Sequence, residues 1–209
     1  MNPVIEFYNL IFYKPVSEAL LFFHQHLKDL GLALISLTIL IRIFLLPLDY
    51  KNSKEQKKFL RIKKEIEEIS KKFKGEQKTK EIVALYKKEK INPFFNLFSL
   101  LIQFPILISL YQVSLKATTQ LNPYLFGFLD LSKPSFLLST LAILLQTIYL
   151  KLISSQTAKE TSAFLIQSRI NFFLIPLTFL VLMKIPSAIS LYLLVSYLFL
   201  TVQKLLFHV

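Results

Sequence analysis

The sequence predicts an all-α, polytopic membrane protein: five transmembrane helices, an amino-terminal interfacial amphipathic helix and a cytoplasmic coiled-coil hairpin. Three observations lead there. The 209-residue chain is 54 % hydrophobic and 14 % aromatic, with a positive mean hydropathy, well above the usage of a soluble domain. Its apolar residues fall into runs long enough to cross a bilayer. Its basic residues are segregated, since fifteen of the twenty-five Lys and Arg lie between Lys51 and Lys90, against seven glutamates.

The elements follow in chain order. Residues 2–13 set Val4, Ile5, Tyr8, Ile11 and Phe12 at helical spacing with only Glu6 charged, the pattern of a short helix lying in the membrane interface. After Lys14 and Pro15, the positions Val16, Leu20, Phe23 and Leu27 continue the stripe beside Glu18, His24, His26 and Lys28. From Leu30 to Leu48 the chain is apolar except for Ser36, Thr38 and Arg42, enough to cross about 27 Å of hydrocarbon. Residues 93–115 form a second run, containing Gln103 and Pro105, and Pro134 to Leu152 a third, containing Gln146. The fourth, Ile170 to Met183, is short and broken at Pro176, and the last runs from Ser187 to Phe207. The chain divides into interfacial helices (1–29), the first span (30–50), a basic hairpin (51–92) and the remaining spans with short loops (93–209).

Within the basic segment, Phe59, Ile62, Ile66, Ile69 and Phe73 recur at intervals of three and four, a coiled-coil seam. A turn at Lys74-Gly75-Glu76 and a returning stripe of Ile82, Leu85 and Tyr86 predict an antiparallel hairpin. Placing it in the cytoplasm puts nineteen basic residues there, including Lys151, Lys159, Arg169 and Lys204. Five remain outside: Lys14, Lys28, Lys116, Lys133 and Lys184. The positive-inside rule then sets the amino terminus outside and the carboxyl terminus in the cytoplasm.

Composition also excludes. There is no cysteine, so thiolate metal sites, cysteine nucleophiles, disulfides and a lipid-modified amino-terminal cysteine are ruled out. With glycine only at Gly31, Gly75 and Gly127, neither phosphate-cradling loops nor a nucleophile elbow can form. His24, His26 and His208 make no metal cluster with carboxylates. An enzyme is not expected, nor any metal or small-molecule cofactor. The first thirty residues lack the pattern of a cleaved signal, and no long-period repeat supports a repeat-built transporter.

Arg42 is the anomaly. A guanidinium in the middle of a span is costly in lipid, so it either snorkels about 9 Å to the headgroups or faces a wet cavity. No acidic residue lies within the other spans, which removes a buried ion pair between helices. Gln103 and Gln146, with Thr38, Ser109, Ser190 and Ser196, are candidates to line such a cavity; the alternative for each is a hydrogen bond to a neighbouring helix.

These residues sit in a recognisable order. The run "LTILIRIFLLPL" before a lysine-rich hairpin, then "LYKKEKINPFF" (85–95), "LLIQFPILISLYQV" (100–113) and "SLYLLVSYLFLTVQ" (190–203), resembles the YidC/Oxa/Alb membrane protein insertases from Leu30 onward. The resemblance implies five spans and a hydrophilic groove open to cytoplasm and lipid but closed on the outer side. It implies that Arg42 receives the polar tail of an arriving substrate, and that Gln103, Tyr192, Ser196 and Gln203 occupy motif positions, with Gln146 a looser match. This chain departs from the motifs at Leu193, Tyr197, Asn96 and Ser99, where tryptophan, asparagine, glycine and proline are common. It looks like a short bacterial form without a large periplasmic domain.

The expected function is therefore insertion and folding of small membrane proteins in the bacterial plasma (inner) membrane. The partners implied are nascent membrane proteins, the ribosome, the Sec translocon and anionic lipids. The competing class is a small channel or anion transporter using Arg42 as an anion site; a third makes the hairpin a docking scaffold.

Overall fold

The computed structural model describes residues 3–90, 95–155 and 175–207, with side chains described at all of these except 52–53, 55–57, 59–60, 63, 95–103, 153–155 and 207. Helices dominate. Helix α1 (Pro3–Tyr8) runs through a π-helical segment, Asn9–Tyr13, into α2 (Lys14–Leu27), where Pro15 occupies the first turn. Proline lacks the N–H that would bond four residues back, and its ring crowds that carbonyl. A wide π turn just upstream is how the helix absorbs it without breaking. The two amphipathic pieces expected from sequence thus form one rod. Its Val16 and Leu20 are buried in the main core, with Phe12, Tyr13 and Phe23 against it, while Val4, Phe7, Leu10 and Phe22 remain exposed. Tyr8 Oη donates to Gln112 Oε1 at 2.9 Å, tying the rod to α5 (Phe95–Gln120).

Helix α3 (Leu30–Lys72) is the spine, a single 43-residue helix that contains Pro47 and carries both the expected first span and the first arm of the hairpin. Asp29 starts it: one carboxylate oxygen accepts from Leu32 N at 2.9 Å and the other from Phe126 N at 2.7 Å. The same side chain therefore caps a helix and pins a distant loop. That loop is a feature the sequence did not announce, a small antiparallel ribbon of β1 (Tyr124–Leu125) and β2 (Leu129–Asp130), so the fold is nearly, rather than strictly, all-α.

The seam at 62–73 packs against α4 (Gly75–Lys88), with Ile62 and Leu85 buried among Ile66, Ile69 and Tyr86. The side chain of Phe59 lies outside the described residues. Gly75 takes φ +59° at the corner, which a glycine does without steric cost.

Helix α6 (Phe136–Ser155) follows the ribbon, then a helix over 175–182, here α7, and α8 (Ser187–Phe207), whose bounds coincide with the expected last span. Residues 93–94, 159, 169 and 170–174, parts of the expected second and fourth spans and two cytoplasmic charges, lie outside the described residues. Helix α8 packs between α3 and α6 and also touches α5. Its first N–H groups, which lack intrahelical partners, are met by the loop: Ser187 N donates to Lys133 O at 3.0 Å and Ala188 N to Leu131 O at 3.2 Å. Ser187 Oγ donates to Asp130 O. Among the described residues, Leu30–Lys51 and Ser187–Leu206 are long and apolar enough to cross a membrane, and Phe136–Leu152 is a shorter apolar helix.

The core is dense where these helices meet the ribbon. Leu30, Leu34, Leu37, Leu110, Leu131 and Tyr192 are each at most 1 % exposed. Gly31 is required there: a Cβ at this position would lie 2.4 Å from Leu125 Cδ1. Gly31→Ala should therefore destabilise the protein in detergent by about 1–3 kcal/mol, measured by thermal unfolding, and adding Leu125→Ala should not restore it, because the Cβ of residue 125 would itself lie 2.5 Å from the new methyl group. Unchanged stability in the single variant would show that the ribbon does not press on α3.

Candidate functional site

The outward and inward faces of α3 are clearly distinct. Ile39, Leu40, Ile43 and Phe44 are exposed, Phe44 at 82 %, whereas Leu37, Thr38, Arg42 and Leu45 are buried. Arg42, only 6 % exposed, is thus turned into the helix bundle and away from the lipid-facing side. Thr38, Arg42, Leu45 and Asp49 follow one another at four, three and four residues, a continuous stripe.

Facing that stripe are α6 and α8. Gln146 is 7 % exposed and Ser196 fully buried, and Tyr192 is 1 % exposed. The rings of Tyr149 and Tyr197 meet at 5.9 Å and an interplanar angle of 47°. Tyr149 lies within electrostatic reach of both Arg42 and Asp49, and Tyr197 of Arg42. Three helices therefore bring their polar residues to one locus.

The hydrogen bonding of this locus is incomplete. Arg42 Nε, Asp49 Oδ2, Gln146 Oε1, Ser196 Oγ and Gln203 Oε1 are buried without a hydrogen-bond partner among the described residues. Buried polar atoms are nearly always paired, and an unpaired one costs about 1–3 kcal/mol. Among the described residues only two further side-chain atoms share that condition, His24 Nε2 and Ser114 Oγ. The orphans thus concentrate on the halves of α3, α6 and α8 remote from the ribbon. Unpaired polar atoms of this kind call for water or another polar guest.

The opposite half is different. Ser139 Oγ and Ser190 Oγ are 3.1 Å apart in a buried pair. The hydroxyls of Thr38 and Ser109 donate to carbonyls of their own helices, Leu34 O at 2.6 Å and Ile106 O at 2.8 Å. Around them lies the leucine-rich core near Leu30. Toward the ribbon most of these hydroxyls are engaged, with His24 Nε2 and Ser114 Oγ the orphans there among the described residues, against five at the other end.

Of the residues singled out in the sequence, Arg42, Gln146 and Ser196 converge on this locus, and Tyr192 lies in the main core one turn of α8 before Ser196. Thr38 is on the same stripe with its hydroxyl already engaged. The side chain of Gln103 lies outside the described residues. Asp49 was not among the residues singled out: just past the apolar run that ends at Leu48, it is partly buried on the same face of the same helix and within electrostatic reach of Arg42. The interval of seven residues, two turns of helix, was the available signal.

The fold and this locus define a class: a helical membrane protein with charged, partly unsatisfied polar residues among its helices. The family model described as "60Kd inner membrane protein" matches residues 22–209, and the chain belongs to that family. It is 30 % identical over 202 residues to membrane protein insertase MisCA of Bacillus subtilis, covering 92 % of this chain and 76 % of MisCA. It is 30 % identical over 197 residues to membrane protein insertase YidC of Campylobacter jejuni, covering 91 % of this chain and 36 % of that protein. YidC of Rickettsia bellii is likewise 30 % identical over 202 residues, covering 86 % of this chain and 35 % of the relative. The chain thus spans little more than a third of these YidC relatives. A crystal structure of active YidC insertase with its first transmembrane domain resolved superposes with a TM-score of 0.69 at 25 % identity, over 94 % of this chain and 46 % of that one.

The two halves should respond differently to loss of a hydroxyl. Ser190→Ala leaves Ser139 without its partner and should cost about 1 kcal/mol, whereas Ser196→Ala removes an already orphaned group and should cost a few tenths at most. Thermal unfolding of the two variants in the same detergent decides; equal losses would mean that Ser196 has a protein partner.

Proposed function

We propose that this chain is a membrane protein insertase, with Arg42, Gln146, Tyr192 and Ser196, joined by Gln103 and Thr38, lining the groove that receives a substrate's polar tail. The observation that carries the proposal is the concentration of orphaned polar atoms around a buried guanidinium at one end of the bundle, with a dense apolar core closing the other. The similarity to MisCA and YidC supports the same reading.

The physics is a shortened path. A polar tail crossing bare hydrocarbon loses several kcal/mol for each unsatisfied group. A hydrated notch reaching partway removes much of that barrier, and a fixed cation attracts acidic tails. Partitioning of the substrate's own apolar span supplies the free energy, so neither nucleotide nor bond-making chemistry is required, and the protein is not an enzyme in that sense. The fourth span as the sequence reads it, Ile170 to Met183, is fourteen residues, about 21 Å of helix and short of a typical 30 Å core. A locally thinned bilayer would lower the barrier further.

In this proposal the chain crosses the membrane five times. Residues 1–29 lie at the outer interface, 30–50 form the first span, 51–92 a cytoplasmic hairpin, and 93–209 the other four spans. Nineteen basic residues against five support an outside amino terminus and a cytoplasmic carboxyl terminus in a bacterial plasma membrane. Nascent membrane proteins are the substrates. The basic hairpin suits contact with anionic headgroups or ribosomal RNA, and action alone or beside the Sec translocon is compatible with the groove.

In reconstituted vesicles, Arg42→Ala should lose most insertion of a small acidic-tailed single-span substrate, and Arg42→Lys should keep part of it, because a cation remains. Wild-type rates in Arg42→Ala would refute the electrostatic role. Single cysteines at Gln146 and Ser196, introduced into a chain that has none, should react with a membrane-impermeant maleimide from the cytoplasmic face alone. Reaction from both faces would favour the channel instead.

A further inference from the structure

Asp49 is unused by the account so far. It rides the same face of α3 as Arg42, seven residues on, so the two lie within about 20° of one another around the axis and about 10.5 Å apart along it. Its carboxylate is partly buried, and Oδ2 has no hydrogen-bond partner among the described residues, like Arg42 Nε. The two groups are nonetheless within electrostatic reach of each other, and Tyr149 of both. On the neighbouring helices, Lys151 and Lys204 stand near the same end of the bundle, Lys151 exposed and Lys204 half-buried, each with interactions of its own.

We propose that Asp49 is a built-in counter-charge to Arg42 that sets which substrate tails the groove admits. An acidic tail approaching the guanidinium must pass this carboxylate or compete with it. A tail carrying a basic residue finds an anion already in place, two turns nearer the hairpin. The groove is therefore a dipole with the positive end deeper, and its selectivity for acidic tails is weaker than a lone arginine would give. This inference rests on the insertase reading for its biological meaning, but the claim about charge stands on the arrangement of the two side chains.

The test uses the full chain in two ways. With Ser196→Cys as the sole thiol, reaction rates are compared for an anionic sulfonate-bearing and a cationic trimethylammonium-bearing methanethiosulfonate. Adding Asp49→Asn should raise the anionic-to-cationic rate ratio roughly fivefold, equivalent to about 1 kcal/mol, and Asp49→Glu should restore it. In vesicles held without a membrane potential, two single-span substrates differing only in Asp-Asp or Lys-Lys in the translocated tail should show the same shift in insertion ratio.

An unchanged reagent ratio in Asp49→Asn overturns the inference, as does a shift that Asp49→Glu fails to reverse. Should the reagent ratio shift while wild-type vesicles insert neither substrate above protein-free controls, the counter-charge stands and the insertase reading falls. A thiol at Ser196 unreactive to both reagents sinks the hydrated groove and the inference with it.

Discussion

Everything in this molecule is arranged around one constraint: a guanidinium that is always charged cannot rest in hydrocarbon. Arg42 sits where α3 would otherwise be a plain apolar span, and the chain turns it inward. Exposed Ile39, Leu40, Ile43 and Phe44 leave the opposite face of α3 suited to lipid. Placing the charge inside moves the problem to the interior, where charge is tolerated only with partners or water. The polar faces of α6 and α8 answer that need. Among the described residues, some of the polar atoms gathered there still lack a hydrogen-bond partner.

The two halves of the bundle then take opposite roles. Near the ribbon, packing is tight enough that Gly31 has no room for a methyl group beside Leu125. Asp29 fixes that loop to α3 while carbonyls of 131 and 133 cap α8. These contacts hold the helix ends together and seal them. Toward the hairpin, α3 continues as one helix beyond the bundle, with Pro47 inside it, so the first arm of the hairpin and Arg42 share a single helix.

Much of this was legible in the sequence because membrane helices write their burial in hydropathy. The bounds of α8 and the hairpin seam at Ile62 and Leu85 follow from apolar periodicity, and Arg42, Gln146 and Ser196, the single polar residues that interrupt it, are buried. What was hidden depends on tertiary approach. Gly31 reads as a neutral glycine until Leu125 arrives against it. The π segment is local to Pro15, yet proline could equally have broken the rod into two helices. Thr38 stands on the Arg42 stripe, and its hydroxyl donates to Leu34 O of its own helix, an outcome open to any helical threonine that its sequence position does not announce. The two-residue strands are too short to carry a period.

Asp49 was hidden for a different reason. Hydropathy ended the first span at Leu48, and a charged residue one position later reads as the start of the soluble arm. The helix does not stop there, so the periodicity that governs the span governs Asp49 as well: about three turns of α3 carry threonine, arginine, leucine and aspartate on one face. A boundary drawn from composition separated two residues that geometry joins. In a helix that crosses from bilayer to water without interruption, the last turn at the interface belongs electrostatically to the groove. The charges there modulate the field that Arg42 creates within it.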